Sequence, residues 1–290
     1  MTDFQTIPPY QGGEVTDDRA LVTLTSEESK RLIAKGIAAL PVVQKAMERG
    51  TIGFCICSSA KYVAEELLGE PLPAFAHYLC GFVSSRGLFA LPDEKASKQL
   101  VLVKGKAVWL DWPKENLTKY VKTMGADDVI IKSGNVLDPN RKAGTLVGLS
   151  NGGEYGKYLP YILARGITLI APMTLNKSVN YPLDEIMLEM GITKISPQRA
   201  HGEPCGMLPL PGLVFTESDA LQTLCRVRAI PVAIGGIGDG RGTVALLLLG
   251  EEKNVDHAWR LIESIKGEPP LEVPASETLY GLNTGEGNRP

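Results

Sequence analysis

The sequence predicts an α/β fold: a Rossmann-like parallel sheet flanked by helices, with a smaller C-terminal ferredoxin-like α+β lobe. Two observations lead to this fold class. Before residue 180, short apolar runs alternate with amphipathic stretches, as in parallel strands joined by crossover helices. After residue 180 the order changes to strand, helix, strand, strand, helix, which is typical of a split βαβ lobe.

The 290 residues are enough for one large α/β unit or two modest domains. We divide the chain into an N-terminal arm (1–20), a Rossmann-like core (21–180), a small α+β lobe (181–268) and an extended tail (269–290). The tail and the Pro-rich stretch 71–97 both hold apolar residues without an evident place in the sheet. We therefore expect a homo-oligomer.

The first elements follow from capping and periodicity. Thr25 and Glu28 form a capping box ahead of apolar residues on one helical face, and Pro41 separates this helix from the next. A glycine at 105 between two apolar runs predicts a hairpin. Up to residue 180, we predict strands at 21–24, 51–57, 128–132, 145–149 and 167–171, and helices at 26–40, 41–49, 60–68, 113–124 and 157–164.

In the lobe, we predict helices at 182–190, 217–226 and 254–266, strands at 213–216, 230–235 and 243–249, and a loop at 199–212. Residues 235–242 have GxGxG spacing. Because they lie between two strands, they predict a hairpin or bulge and not a dinucleotide-binding turn.

Composition excludes several classes of partner. The net charge of −3 and the 6% of aromatic residues argue against nucleic-acid binding. No apolar run reaches the roughly 20 residues of a membrane span, and the N-terminus has no signal-peptide pattern, so a cytoplasmic protein is expected. Five cysteines without a CxxC pair fit a reduced compartment, and three histidines share no ligand spacing. We expect no metal and no cofactor, and a small anionic metabolite as the partner.

Ligands of open parallel sheets bind outside the carboxyl ends of the strands, so the loops that follow strands are the candidate site. Ser58 and Ser59 stand at a helix N-terminus, where they either hold an anion or cap the helix. Lys132 ends a predicted strand and is either a solvated lysine or a group that fixes an anion or polarises a carbonyl. Three further candidates follow it, namely Ser133, Gly134 and Asn135.

Two further loops complete the candidate site. In the first, Gly152 and Gly153 let the backbone approach a ligand, and Glu154 is either a general base or a carboxylate placed by the helix dipole, which lowers its pKa. Asn151 precedes these glycines. The second loop presents Thr174 and Lys177, which also fit ordinary loop polarity.

Three segments carry a family resemblance: VVQKAMERGTIGFCICSSAKYVAEEL, GADDVIIKSGN and YILARGITLIAPMTLNKSV. They resemble the superfamily of ribose-5-phosphate isomerase, glucosamine-6-phosphate deaminase and the CoA transferases. The last two also resemble methylthioribose-1-phosphate isomerase and the regulatory subunits of a translation initiation exchange factor. The resemblance covers roughly residues 40–70 and 120–265.

The resemblance also implies roles for single residues. The lysine and glycine motif of ribose-5-phosphate isomerase is similar to Lys132, Ser133 and Gly134, and its downstream glutamate corresponds to Glu154. Two positions depart from the family pattern. The phosphate loop has no glycine around Ser58 and Ser59, and Met124 stands where one catalytic aspartate of the isomerase is expected.

Three functions remain open. In the first, an isomerase acts on a phosphorylated or carboxylated substrate: Glu154 moves a proton next to a carbonyl, Lys132 stabilises the enediolate oxygen, and the anionic group is held by Ser58, Ser59 and Lys177. The second is acyl-CoA transfer or hydrolysis through Glu154. The third is a non-catalytic ligand-sensing or assembly protein, which the departure at Met124 favours.

Overall fold

A computed structural model of the chain describes residues 18–90 and 97–272. The strands are β1 (Asp18–Leu24), β2 (Thr51–Phe54), β3 (Gly81–Ser84), β4 (Gly87–Ala90), β5 (Ser97–Val103), β6 (Lys106–Trp112), β7 (Val129–Ile131), β8 (Val136–Leu137), β9 (Ala143–Val147), β10 (Thr168–Pro172), β11 (Gly206–Leu210), β12 (Leu213–Phe215), β13 (Arg228–Gly235) and β14 (Thr243–Gly250). The helices are α1 (Ser26–Ala38), α2 (Pro41–Arg49), α3 (Ser58–Leu68), α4 (Thr118–Val121), α5 (Gly153–Arg165), α6 (Leu183–Glu189), α7 (Glu217–Cys225) and α8 (Glu252–Glu263).

The largest sheet has six strands in the order β12–β10–β7–β2–β5–β6 and is mixed. Strands β12, β10, β7 and β2 are parallel, and β5 and β6 form an antiparallel hairpin at one edge. Alternate residues face two cores: Val129 and Ile131 belong to one, and Ile130 belongs to the other. Helices therefore cover both faces, with α1 and α3 on the first core and α5 on the second.

A second sheet joins the two ends of the described chain. Strand β14 pairs antiparallel with β1 on one side and with β13 on the other. Strand β12 was predicted to belong to the C-terminal lobe, but it pairs with β10 in the six-stranded sheet. The hydrophobicity pattern of a three-residue strand is too short to show which sheet the strand joins. Hydrogen-bonded pairing therefore crosses residue 180 in both sheets.

Two regions that were predicted to be irregular contain strands. Strand β11 lies inside the predicted loop 199–212 and pairs with β9, which also pairs with β8. The hairpin of β3 and β4 lies within the Pro-rich stretch. The predicted arm and tail lie almost entirely outside the described residues.

The predicted helix at 113–124 is wrong over most of its length, because only α4 is helical there. Gln99, on β5, accepts a hydrogen bond from the Leu117 backbone N–H at 2.9 Å, and Leu117 is fully buried against the sheet. This contact holds the preceding loop against the sheet, and the helix begins only after it, at Thr118. By contrast, the hairpin about Gly105 (φ 72°) and the Thr25–Glu28 capping box are confirmed.

Among residues 18–90 and 97–272, no helix combines the length and the apolar character needed to cross a membrane.

Candidate functional site

The carboxyl ends of four parallel strands meet at one edge of the six-stranded sheet. The registers of β2, β7, β10 and β12 align these ends side by side. The segment after each strand carries polar residues: Cys57 to Ser59, Lys132 to Gly134, Thr174 to Lys177, and Thr216 with Glu217. This edge is the place where open parallel sheets bind ligands.

Ser133 is the centre of a hydrogen-bonded group at this edge. Its hydroxyl is 3% exposed, and it accepts hydrogen bonds from Lys177 Nζ at 2.9 Å and from Ser59 Oγ at 3.3 Å. Its backbone N–H donates to Cys57 Sγ at 3.3 Å. Cys57 is the N-cap of α3, and no side chain caps that helix, so Ser59 binds Ser133 and does not act as a cap. Ser58 begins the helix beside it and is half-buried.

Lys132 is a buried cation. It is 7% exposed, which excludes the solvated alternative, and within the described chain its ammonium group has no hydrogen bond. Burial alone lowers the pKa of Lys132. The thiolate forms of Cys57, Cys80 and Cys55 and the Glu154 carboxylate oppose burial, and the pKa of Lys132 lies above its ordinary value. Lys132 therefore keeps its positive charge at neutral pH.

Glu154 lies in the first turn of α5, close enough to Lys132 for each charge to change the pKa of the other. One carboxylate oxygen accepts the Ile56 backbone N–H at 3.0 Å, and the other accepts from Tyr158 Oη at 3.1 Å and from Gln99 Nε2. Burial raises the pKa of Glu154 despite these donors. The shift is opposite to the one that the helix dipole alone would give.

Lys177 lies between further buried charges. Burial and the nearby cations Lys30 and Lys132 lower the pKa of Lys177 to about 8, against the opposing effect of Glu217. Glu217 is 0% exposed, and burial raises its pKa to about 7, although both oxygens accept the Leu175 backbone N–H at 3.1 and 3.0 Å. Three lysines and two acids, Glu154 and Glu217, thus share this edge.

The sequence reasoning missed Glu217 and Lys30. Glu217 directly follows β12, so the rule that selected the other loops would have found it if β12 had been placed in the main sheet. Lys30 is on α1, 8% exposed, and its ammonium group binds Glu27 at 3.1 Å. A lysine in the middle of a helix carries no local signal that it will be buried near a sheet edge.

Several predicted site residues also make local structural contacts. Asn151 Oδ1 accepts the Gly153 backbone N–H at 2.9 Å, at the positive-φ start of α5 formed by Gly152 and Gly153. Asn135 Oδ1 accepts the Leu146 backbone N–H at 3.0 Å on β9. The remaining two candidates are Thr174, whose hydroxyl donates to Asn176 Oδ1 at 2.6 Å, and Gly134, where a Cβ would lie 2.2 Å from the Gly144 carbonyl oxygen.

A cavity of about 10 Å³ lies beside this site. Cys55 and Cys57 line it together with Lys61, His77 and Tyr78. This volume holds about one water molecule.

Comparison of the chain with protein-family models, curated proteins and solved structures gave no match. Within the described ranges, no group of three or more His, Cys, Asp or Glu side chains is arranged to hold a metal ion.

Proposed function

We propose that the chain is an isomerase-type enzyme that binds a small phosphorylated or carboxylated metabolite and moves a proton next to its carbonyl group. One observation supports this most directly. Lys132 is a buried, charged amine with no hydrogen bond in the described chain, and it lies near the half-buried Glu154. A buried charge without a hydrogen-bond partner is costly, and an anionic ligand would offset this cost.

The site residues divide into two groups in this proposal. Ser58, Ser59 and Lys177 hold the anionic group at the N-terminus of α3, where backbone amides and the helix dipole favour an anion. Lys132 stabilises the enediolate oxygen, and Glu154, whose raised pKa is closer to neutrality, takes the proton.

The carboxyl edge of the six-stranded sheet also supports a proposal about the evolutionary origin of the chain. The three segments that resemble the ribose-5-phosphate isomerase superfamily include β2 with α3, the residues after β7, and β10 with the loop that follows it. They supply Ser59, Lys132, Ser133 and Lys177. We propose that the parallel strands are a Rossmann-like half-sheet of a divergent member of that superfamily. The expected homo-oligomer remains a proposal, and light scattering tests it.

One observation favours a second candidate, a non-catalytic ligand sensor. The Glu154 carboxylate already accepts hydrogen bonds from Ile56, Gln99 and Tyr158. A carboxylate with these three donors must lose one of the hydrogen bonds before it can take a proton from a substrate.

A thermal-shift screen against sugar phosphates, small carboxylates and acyl-CoAs tests the proposal. A ligand at a hundred times its Kd adds about 2.7 kcal/mol to the folded state. We expect a sugar phosphate or a carboxylate to raise Tm, Lys132→Ala to remove the shift, and Lys253→Ala to keep it, because Lys253 is exposed on α8.

Proton exchange separates the two candidates. An NMR assay in D₂O follows the hydrogen next to the carbonyl of the bound ligand. Exchange that Lys132→Ala slows by a factor on the order of 10² supports the enzyme. Binding without exchange supports the sensor, and no response from any anion contradicts both.

A further inference from the structure

We propose that Lys177 is a catalytic amine that forms a Schiff base with a small anionic aldehyde or ketone. The inference rests on the proposed function, because it concerns the same carbonyl substrate. It changes the role of Lys177 from holding the anion to bonding with the carbonyl carbon, and leaves the anionic group to Lys132 and the hydroxyls of Ser58 and Ser59.

The geometry leaves the amine of Lys177 available. Its side chain extends from the turn after β10, and Ser133 Oγ, at 2.9 Å, is its one hydrogen-bond partner in the described chain. Lys177 is half-buried, whereas Ser133 is 3% exposed. The Lys177 side chain is therefore more exposed than the hydroxyl that it binds, which favours the amine over the hydroxyl as the group that meets a carbonyl.

The surroundings favour the neutral amine, which is the nucleophilic form. Among the groups that face Lys177, Lys30 from α1 and Lys132 from β7 disfavour its charge, as burial does, while Cys57 and Glu217 favour it. The resulting pKa of about 8 leaves part of the amine neutral near pH 7.5. Burial beside another cation is a known way to activate a lysine nucleophile.

Glu217 is a positioning residue in this scheme. It lies close enough to Lys177 for each to change the pKa of the other, and both oxygens are oriented by the Leu175 backbone N–H. Its carboxylate favours the ammonium form of Lys177 and so sets the pH at which the amine becomes neutral. Glu217 needs no contact with substrate.

The chemistry balances without an external oxidant or reductant. The neutral Lys177 amine adds to the carbonyl carbon, and the oxygen takes one proton from the nitrogen and a second from solvent. Its loss as water gives the protonated imine. Glu154 removes a proton from the adjacent carbon, and the electron pair forms an enamine. A proton from solvent water adds to the other face and gives the epimer, while Glu154 releases its proton to solvent. One water then hydrolyses the protonated imine to release the carbonyl, the neutral amine and one proton.

Reductive trapping tests the proposal without knowledge of the natural substrate. The full-length protein is incubated with glyoxylate, pyruvate or glycolaldehyde phosphate and sodium cyanoborohydride, which delivers hydride to the imine carbon and leaves a stable secondary amine. Peptide mass spectrometry should place the main adduct on Lys177. Lys177→Arg, which keeps the charge, and Lys177→Met should both lose it, and Lys253→Met should keep it.

The pH profile distinguishes the positioning role of Glu217 from a structural one. In the wild type, the trapping rate should rise through about pH 8. Glu217→Gln removes a charge that favours the ammonium form, so the midpoint should move to lower pH. An unchanged midpoint in a folded variant contradicts the role of Glu217.

A phosphate control separates failure of this inference from failure of the proposed function. If inorganic phosphate raises Tm but trapping modifies lysines without preference for Lys177, the Schiff base is wrong and the anion site stands. If neither phosphate nor any carbonyl anion binds, both are wrong. Circular dichroism of Lys177→Arg confirms that a lost adduct is not a loss of fold.

Discussion

At the scale of single residues, the candidate site is built from charges that ordinary folding would avoid. Glu217 is completely buried, and its carboxylate shares the sheet edge with Lys177 and Lys132. A group whose pKa is raised by folding destabilises the folded state once the pH is high enough to ionise it. The cost of keeping Glu217 at this position should therefore be measurable.

At pH 7.5, Glu217→Gln should have a higher free energy of unfolding than the wild type. At pH 4.5 this gain should be smaller. The folded-state pKa of about 7 lies above the ordinary 4.5. As the pH rises between these values, the unfolded chain loses its proton first, and the stability that the protonated group contributes is lost. The gain in free energy of unfolding at pH 7.5 should exceed the gain at pH 4.5 by on the order of 2–3 kcal/mol.

Urea unfolding of both proteins at several pH values measures this gain. Glu263→Gln is the matched control, because Glu263 is exposed on α8 and its substitution should leave the pH dependence unchanged. A Glu217→Gln gain that is the same at pH 4.5 and 7.5 would contradict a raised pKa for Glu217.

Part of the candidate site follows from the sequence. Ser59, Lys132 and Lys177 were selected because each ends or follows a predicted strand, and hydrogen bonds and charge connect them. Glu217 follows the same rule and was missed only through the placement of β12. Lys30 could be predicted only from the packing of α1, because long-range contacts decide which helical lysine is buried.

At the scale of elements, the crossing of α1 and α7 positions two of these charges. Lys30 is on α1, and α7 begins at Glu217. The helices approach closely at Gly36, where a Cβ would lie 2.8 Å from Phe215 Cε1 and 2.9 Å from Ala220 Cα. The absence of a side chain at Gly36 therefore sets the distance between the helices.

Gly36→Ala should lower the free energy of unfolding by about 1–3 kcal/mol, because overpacking forces the helices apart. Helix propensity alone would give the opposite sign. The control is Gly125→Ala, where an added Cβ has no heavy atom within 4 Å. Urea unfolding measures both, and a stabilised Gly36→Ala would show that the crossing adjusts without strain.

The elements that the sequence predicts best are those specified by local chemistry. The capping box at Thr25 and the hairpin at Gly105 each depend on a few neighbouring residues, and both are confirmed. Strand β11 and the loop before α4 depend on distant partners instead: β9 pairs with β11, and the Gln99 side chain binds the Leu117 backbone. Hydrophobic periodicity and secondary-structure propensity do not predict such long-range contacts.

At the scale of the whole molecule, one hydrophobic core connects the two sheets. Buried residues of β14, such as Leu246 and Leu248, belong to the same cluster as Ile52 and Phe54 of the six-stranded sheet. Strand β1 strengthens this connection, since it pairs with β14 although the two are at opposite ends of the described chain. A boundary near residue 180 should therefore not separate two independently unfolding parts.

Leu248→Ala tests this cooperativity. Leu248 is completely buried, and its truncation should cost about 2–5 kcal/mol. The tryptophans give separate probes, because Trp109 lies on β6 and Trp259 on α8. In variants that keep only one of them, the urea transitions should coincide and Leu248→Ala should shift both equally. A shift confined to Trp259 would instead show that the C-terminal sheet unfolds alone, with the carboxyl-edge site intact in the sheet that remains.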